Sequence, residues 1–319
     1  MEFGFSIPNR GPLAKPESIT ALARRGEDLG FGLLSVSDHI VVPNEIGSRY
    51  PYSETGEFVG GGAGEYLEQL ATLSYLAGQT SSARLLTSVL VLPHRSPVLT
   101  AKILASIDVL SQGRLTVGVG VGWMREEFEA IGAPPYEERG AVGDEYIRAF
   151  KELWTSDNPS FEGKYCRFRD IKFLPKPVQK PHPPIWVGGE SPPALRRAAR
   201  LGDVWFPIGN NPRFPVQTAE QLAEYLSRLR RYAEDAGRDP DEIGLAYSAG
   251  WYSDREAQTL PDGGRQPFTG VPEQVAEDIR DFGRLGVQSL MLNFQGDTVE
   301  ESLERMERFA TSVRPLVGD

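Results

Sequence analysis

Apolar residues along this chain form two kinds of segment, short continuous runs and longer stretches in which they recur at helical spacing. The clearest example lies within residues 84–123, where the runs Leu85–Leu92 and Leu115–Val121 flank a helical pattern at residues 97–110. Neither run alternates apolar with polar residues, as a strand with one solvated face would. Such runs are typical of parallel strands covered on both faces by helices, so this segment predicts a strand–helix–strand unit with a right-handed crossover.

Eight such runs occur in the chain, and a helical pattern follows each of them. The predicted strands are Phe3–Ile7, Leu33–Ser37, Leu85–Leu92, Leu115–Val121, Ile185–Val187, Asp203–Pro207, Ile243–Ala249 and Gln288–Phe294. Eight strand–helix units favour an α/β fold of the (β/α)8 TIM barrel type. A doubly wound open sheet is the competing architecture, and the absence of a GxGxxG motif after the first strand disfavours it. The proline-rich residues 155–184 predict an insertion, and the lack of a linker predicts a single domain over residues 1–319.

The composition is that of a globular protein with a sizeable core, since 40% of the 319 residues are hydrophobic and 24% are charged. A net charge of −10 argues against a broad interface with nucleic acid or with an anionic membrane. Cys166 is the only cysteine, which excludes a disulfide framework within the chain. Neither a signal peptide nor an apolar run of about 18 residues is found, so we expect a soluble, cytoplasmic protein.

Candidate catalytic groups follow two of the predicted strands, where barrels of this type place their active sites. Asp38 and His39 come directly after the second strand. A histidine there is suited to exchange a proton or to bond a ring-shaped ligand. His94 and Arg95 follow the third strand and are suited to bind an anion. A polar turn explains each pair equally well, so both interpretations stay open.

The fourth predicted strand carries alternating glycines at Gly118, Gly120 and Gly122, and Trp123 follows directly. Glycine weakens a strand unless something needs the space that a side chain would take. The pattern therefore predicts either the close approach of a flat ring or tight packing within the barrel. Trp123 fits either a ligand contact or the core.

The best candidate for phosphate binding is the turn Gly188–Gly189–Glu190–Ser191, which precedes a predicted helix. Open backbone amides, a hydroxyl and a helix N-terminus favour an anion. Two features weaken this prediction: Pro192 and Pro193 remove two amide donors, and Glu190 would repel a phosphate unless its side chain turns away. A simple strand-to-helix turn is the alternative.

Other catalytic motifs are missing from the sequence. The three histidines, His39, His94 and His182, show no metal-ligand spacing, and no GxSxG motif occurs. We therefore expect neither a protein-bound metal nor a nucleophilic serine. The basic residues at 196–197 and 228–231 predict solvated helix faces.

Four segments resemble the luciferase-like monooxygenase superfamily, specifically its coenzyme F420-dependent oxidoreductase branch. In the family's order they are SVSDHIVVP (35–43), TSVLVLPHRSPVLTAKILASIDVLSQGRLTVGVGVGW (87–123), PPIWVGGESPPALRRAARLGDVWFP (183–207) and GVQSLMLNF (286–294). They span nearly the whole chain, and the first three are specific. The resemblance implies a (β/α)8 barrel that binds a flavin or deazaflavin at the carboxyl ends of its strands.

The resemblance also implies roles for individual residues. His39 would be the catalytic proton donor or acceptor, or would hold the ring, and Ser88–Val89 would form a bulge with a non-proline cis peptide bond behind the cofactor ring. The turn at residues 188–191 would hold the cofactor phosphate. The full set of expected cofactor-binding residues is Asp38, His39, Ser88, Val89, Gly120, Gly122, Trp123, Gly188, Gly189, Glu190 and Ser191.

One position departs from the pattern of the resemblance. Some deazaflavin dehydrogenases carry a catalytic glutamate just after the glycines of the fourth strand. Trp123 occupies that position here, and Glu126 and Glu127 follow a turn later. This departure argues against a sugar-phosphate dehydrogenase activity of that kind.

The function that the resemblance implies is hydride transfer between F420 and a small organic substrate. With FMN instead, the protein would be a two-component monooxygenase that uses oxygen and receives reduced flavin from a partner reductase. A barrel that binds a flavin without turnover ranks lower. We also expect a homodimer, and we expect residues 43–64, which carry Tyr50, Tyr52 and Phe58, to form a lid over the substrate or an oligomer contact.

Overall fold

The computed structural model describes residues 1–58 and 64–318 of the chain. Its strands are β1 (Glu2–Ser6), β2 (Leu33–Val36), β3 (Arg84–Thr87), β4 (Leu90–Val91), β5 (Leu115–Gly120), β6 (Phe161–Glu162), β7 (Arg167–Phe168), β8 (Ile185–Gly188), β9 (Val204–Phe206), β10 (Gly244–Ser248) and β11 (Val287–Leu292). Its α-helices are α1 (Pro16–Asp28), α2 (Gln69–Gln79), α3 (Pro97–Leu110), α4 (Arg125–Ala130), α5 (Arg139–Thr155), α6 (Pro192–Leu201), α7 (Ala219–Asp235), α8 (Pro272–Arg284), α9 (Val299–Arg308) and α10 (Arg314–Val317).

The main sheet is a closed ring of parallel strands. Its strands follow the order β3-β2-β1-β11-β10-β9-β8-β5, and β3 also pairs with β5, which closes the ring. The short strand β4 continues from β3 and pairs with β5 as well. This arrangement confirms the predicted (β/α)8 barrel, with one helix or more between successive strands of the ring.

The inside of the barrel is filled by side chains of unequal size. A separate apolar cluster there consists of Leu33, Leu86, Trp186, Phe206, Ala246 and Met291. Two glycines make room for these large side chains and for the neighbouring backbone. A Cβ atom on Gly4 would lie 2.6 Å from the Met291 sulfur, and one on Gly118 would lie 2.1 Å from the Thr87 carbonyl oxygen. Tight packing therefore explains the first of the three strand glycines.

The helices cover the outside of the ring with one apolar face each. In α1, for example, Ile19, Leu22 and Ala23 are buried at helical spacing. The strongly amphipathic stretch near residues 218–236 forms α7, whose start is stabilised by a capping box between Thr218 and Gln221. No helix in the described ranges 1–58 and 64–318 is long and apolar enough to cross a membrane.

Three segments differ from the sequence prediction. The run Leu85–Leu92 forms two strands, β3 and β4, which are interrupted at Ser88–Val89. The apolar run does not reveal this interruption, whereas the resemblance implies a bulge there. The apolar spacing predicts a helix over residues 144–154, but α5 begins at Arg139, because Gly140 and Gly143 near its start weaken a prediction of helix there. The sequence also predicts a closing helix over residues 298–313, but it is α-helical only at Val299–Arg308 and changes to a π-helix at Phe309–Val313.

The insertion at residues 155–184 contains the small antiparallel hairpin of β6 and β7. A buried carboxylate attaches it to the barrel. Glu145 of α5 accepts hydrogen bonds from the backbone N–H groups of Lys164 (2.9 Å), Tyr165 (2.7 Å) and Cys166 (2.7 Å). Three donors that would otherwise lack an acceptor are thus satisfied by one side chain.

Glu145→Ala is expected to lower the free energy of unfolding by about 1–3 kcal/mol, because partly buried N–H groups lose their acceptor. Urea unfolding followed by circular dichroism measures the change. Glu162→Ala is the matched control, since the Glu162 side chain is exposed and lies only near Arg167. Equal unfolding midpoints for the two variants would contradict the proposed attachment.

Candidate functional site

A cavity of about 660 Å³ lies at the carboxyl ends of the barrel strands. This is within the range of about 300–1,000 Å³ that is common for small-molecule sites. All eleven residues expected to bind the cofactor line it, namely Asp38, His39, Ser88, Val89, Gly120, Gly122, Trp123, Gly188, Gly189, Glu190 and Ser191. The barrel thus brings four separate stretches of the chain together around one space.

His39 is hydrogen-bonded to a buried carboxylate of α4. Its Nδ1 lies 2.8 Å from Oε2 of Glu127, whose side chain is 1% exposed. The other oxygen, Oε1, accepts from the backbone N–H groups of Ile40 (2.7 Å) and Val41 (3.3 Å). Since Glu127 occupies Nδ1, proton exchange with a bound molecule falls to Nε2, the second nitrogen of the His39 ring.

His94 lies beside the same carboxylate but is not hydrogen-bonded to it. Its Nδ1 is 3.9 Å from Oε1 of Glu127, and its ring packs edge-on against Phe128. Neither ring nitrogen has a hydrogen-bond partner within the part of the chain that the structure describes. Burial lowers the pKa of His94, which outweighs the opposing effect of Glu127, so the imidazole is neutral at pH 7. A neutral ring is not suited to the anion binding considered for it.

Asp38 and Arg95 are bound to each other rather than open to a ligand. The Asp38 carboxylate accepts from both terminal nitrogens of Arg95 (2.8 and 2.7 Å) and from the Val91 backbone N–H (2.9 Å). Arg95 also pairs with Glu68 at 2.7 Å. These contacts join the end of β2 to β4, which identifies a structural role for Asp38 at the cavity wall.

The Ser88–Val89 peptide bond is cis, as the resemblance implies. Val89 fills the space that side chains on two cavity glycines would take. A Cβ atom on Gly120 would lie 2.6 Å from Cγ2 of Val89, and one on Gly188 would lie 3.0 Å from Cγ1. A Cβ atom on Gly122 would likewise lie 2.8 Å from Val91. Packing within the wall therefore accounts for these glycines.

The side chain of Glu190 turns away from the Gly188–Ser191 turn, as phosphate binding there requires. Its carboxylate accepts from the Ile208 backbone N–H at 2.8 Å and from the Asn211 side-chain amide at 2.7 Å. Burial raises the pKa of Glu190 to about 7. Ser191 caps α6 by accepting from the Ala194 backbone N–H at 3.4 Å. The carboxylate thus holds the turn in place, so that it need not repel an anion.

Two arginines that sequence reasoning did not assign to a site line the same cavity. The prediction that Arg197 belongs to a solvated helix face is wrong, because its side chain is 6% exposed, forms an ion pair with Asp144 at 2.5 Å and donates to the Gly140 carbonyl oxygen at 2.9 Å. Arg139 stacks on the Tyr136 ring at 3.9 Å and donates to the Gly122 carbonyl oxygen at 3.2 Å. Because Asp144 balances the charge of Arg197, Arg139 and the helix N-terminus at Ser191 supply the positive charge that fits a phosphate-bearing ligand.

Aromatic side chains from the expected lid cover His39 and Trp123. The Phe58 ring lies 5.2 Å from the His39 ring and 5.1 Å from the Trp123 ring, and Tyr50 lies 5.1 Å from Trp123. Glu126 of α4 holds the loop by accepting from the backbone N–H groups of residues 47 and 48. The part of the expected lid at residues 59–63 lies outside the described residues. The aromatic cover limits the access of water to His39.

Glu127, the hydrogen-bond partner of His39, is a candidate site residue that the sequence does not identify. From the sequence, Glu127 is notable only as one of two glutamates that follow Trp123 by a turn. The one available signal was its place on the apolar face of α4, three residues after Met124 and next to Phe128, both of which are buried. No group of three or more metal-binding side chains that could hold an ion occurs among residues 1–58 and 64–318.

Comparisons with known proteins give consistent matches. Residues 1–261 match the family described as luciferase-like monooxygenase. The FMNH2-dependent dimethylsulfone monooxygenase of Pseudomonas putida is 32% identical, over 87% of this chain and 86% of that protein. The crystal structure of monooxygenase RslO1 from Streptomyces bottropensis has a TM-score of 0.75 and 26% identity over 99% of both chains. An F420-dependent secondary alcohol dehydrogenase has a TM-score of 0.76 over 100% of this chain and 99% of that one, but its 18% identity shows the fold alone.

His94→Leu is expected to stabilise the protein by about 1 kcal/mol, because it removes two buried nitrogens that lack a hydrogen-bond partner among residues 1–58 and 64–318. The midpoint of urea unfolding at pH 7.5 measures this. His182→Leu is a control with the opposite expected sign, since Nδ1 of His182 is hydrogen-bonded to the Pro183 carbonyl oxygen at 2.9 Å. A lower midpoint for His94→Leu would mean that the His94 nitrogens are satisfied in solution.

The stabilisation by His94→Leu is also expected to grow as the pH falls. In the folded chain, burial lowers the pKa of His94 below the ordinary value of 6.5. In the unfolded chain, the imidazole takes up a proton at that ordinary value. The wild-type protein therefore loses stability as the pH falls below about 6.5, and the leucine variant is spared this loss. An equal difference between the two proteins at pH 7.5 and pH 5.5 would contradict the burial of a neutral imidazole.

Proposed function

The chain belongs to the luciferase-like monooxygenase family, and from that premise we propose that it is a monooxygenase that uses reduced FMN and oxygen on a small organic substrate. The relative from Pseudomonas putida, which is named an FMNH2-dependent monooxygenase, supports this proposal. The observation that carries it is a single cavity in which His39 and Glu127 form an acid–base pair, while Arg139 and the N-terminus of α6 supply positive charge. A separate reductase would deliver the reduced flavin.

The cavity fits a flavin with a phosphate-bearing side chain. Arg139 and the start of α6 at Ser191 would hold the phosphate, and Ser88–Val89 and Trp123 would border the ring. Reduced flavin, when bound, supplies the electrons with which oxygen is activated.

The chain's own residues would orient the reactants and move protons. His39 would exchange a proton at Nε2, since Nδ1 is bonded to Glu127. The aromatic cover formed by Tyr50 and Phe58 would keep bulk water from the reacting atoms. The binding-only alternative gives no role to this buried acid–base pair.

F420 is the second candidate cofactor, with hydride transfer to or from an organic substrate as the reaction. The observation that favours it is the Asp38–His39 pair after β2, which resembles the deazaflavin branch. Asp38 gives this candidate little support, because its carboxylate is bonded to Arg95 and to the Val91 backbone N–H. We therefore rank FMN first.

Titration of the anaerobic protein with reduced FMN, reduced riboflavin and reduced F420, followed by tryptophan fluorescence, tests the cofactor. We expect binding of FMN and not of F420. Arg139→Gln is expected to weaken FMN binding about tenfold and to leave riboflavin, which has no phosphate, unchanged. Arg196→Gln is the control, because Arg196 is exposed on α6 and stacks on Tyr232. Binding of F420 alone would contradict the first candidate and support the second.

A homodimer is proposed from the exposed apolar residues on α3. Leu99 and Leu110 are exposed and lie three helical turns apart, on one face. The partly buried Ile103 lies between them on the same face, and an exposed apolar stripe of this kind is typical of an interface, whereas single exposed leucines are not.

Sedimentation velocity is expected to show a dimer for the wild type and a monomer for Leu99→Glu, because the charge would be buried without a partner. Leu316→Glu is the control, since Leu316 is an exposed leucine on α10, which packs against α8. A dimer that persists in Leu99→Glu would exclude this face of α3 as the interface.

A further inference from the structure

The Glu127 carboxylate joins three groups that follow β2 in sequence. Oε1 accepts from the Ile40 N–H at 2.7 Å and from the Val41 N–H at 3.3 Å, and Oε2 lies 2.8 Å from Nδ1 of His39. Backbone amides only donate, so Oε1 acts as an acceptor in both of these bonds. An ionised carboxylate accepts at both oxygens, and Nδ1 of His39 must then carry the hydrogen.

This hydrogen bond sets the tautomer of the His39 ring. A neutral imidazole carries one hydrogen, so a hydrogen on Nδ1 leaves the lone pair on Nε2. The rings of Tyr66 and Phe58, with centroids 5.0 and 5.2 Å from that of His39, restrict the plane of the imidazole but do not choose its tautomer. His94 does not choose it either, since its nitrogens have no hydrogen-bond partner in the described residues.

We propose that Glu127 is a positioning residue that holds His39 in the Nδ1–H tautomer, so that Nε2 is the nitrogen that exchanges a proton in the cavity. The proton exchange rests on the proposed function, whereas the tautomer does not. A carboxylate that orients a histidine in this way acts through the histidine and not on the substrate. Its adjacent residue Glu126 accepts only from the loop at residues 47 and 48 and has no part in the tautomer.

The tautomer is measured directly by 15N NMR of the histidine side chains at pH 8.5. The chain has only three histidines, so their signals are readily separated. We expect the His39 signals of the wild-type protein to show a protonated Nδ1 and an unprotonated Nε2. The opposite pattern would overturn the proposal without any variant, so the test does not depend on whether a variant folds.

Glu127→Gln is expected to move the ring hydrogen of His39 from Nδ1 to Nε2. The glutamine carbonyl oxygen would accept from Ile40 as Oε1 does, and its amide group would donate to Nδ1, which places the ring hydrogen on Nε2. His182, which lies against Trp154, serves as the internal reference and should not change. Glu126→Gln is the matched control and should leave His39 in the wild-type tautomer. A Glu127→Gln spectrum identical to that of the wild type would contradict the role of Glu127.

Kinetics with reduced FMN separate this proposal from the proposed function. Glu127→Gln is expected to lower kcat at least tenfold and to leave the Kd for FMN within twofold, because the carboxylate acts on His39 and not on the phosphate. An exchanged tautomer with unchanged kcat would overturn the positioning role. A wild-type protein that turns over neither FMN nor F420 would contradict the proposed function and leave the NMR result as the test of the tautomer.

Discussion

The site depends on the closure of eight parallel strands into a ring. Because β3 pairs with both β2 and β5, no strand edge is left between them, and the carboxyl ends of all the strands point the same way. The turns after the strands therefore converge on one end of the barrel. Met291 and the Leu33 backbone leave no room for a side chain at Gly4, and the Thr87 backbone leaves none at Gly118, so close packing of neighbouring strands inside the ring requires both glycines.

Buried carboxylates hold the irregular segments around this ring. Glu127, Glu145 and Glu190 each accept backbone N–H groups from a loop that is distant in sequence, and Asp38 does the same for Val91. Burial of a charge is costly unless hydrogen bonds compensate for it, and loop amides need acceptors in any case. Each carboxylate thus meets both needs at once. The loops that form the cavity are positioned by electrostatics rather than by apolar contacts alone.

The two histidines of the cavity differ in hydrogen bonding, because they lie at different distances from the Glu127 carboxylate. His39 is bonded to Glu127 at 2.8 Å, whereas His94 lies 3.9 Å away and has no partner among the described residues. The hydrogen bond to Glu127 suits His39 to exchange a proton. The buried ring of His94, unpartnered within residues 1–58 and 64–318, lowers the stability of the fold, as is common at functional sites. The aromatic rings of the lid enclose His39, which strengthens electrostatic interactions by excluding water.

The sequence by itself determined the barrel, the order of its strands and the residues that follow each strand, because apolar periodicity is a local property of the chain. It also determined, through the resemblance, that all eleven expected residues would share one cavity. Only the tertiary structure decided that Glu127 reaches His39 across 88 residues, that Arg197 is buried in the wall and that Asp38 is bonded to Arg95. These pairings depend on which faces of distant elements meet, and that information is absent from the spacing of residues along the chain.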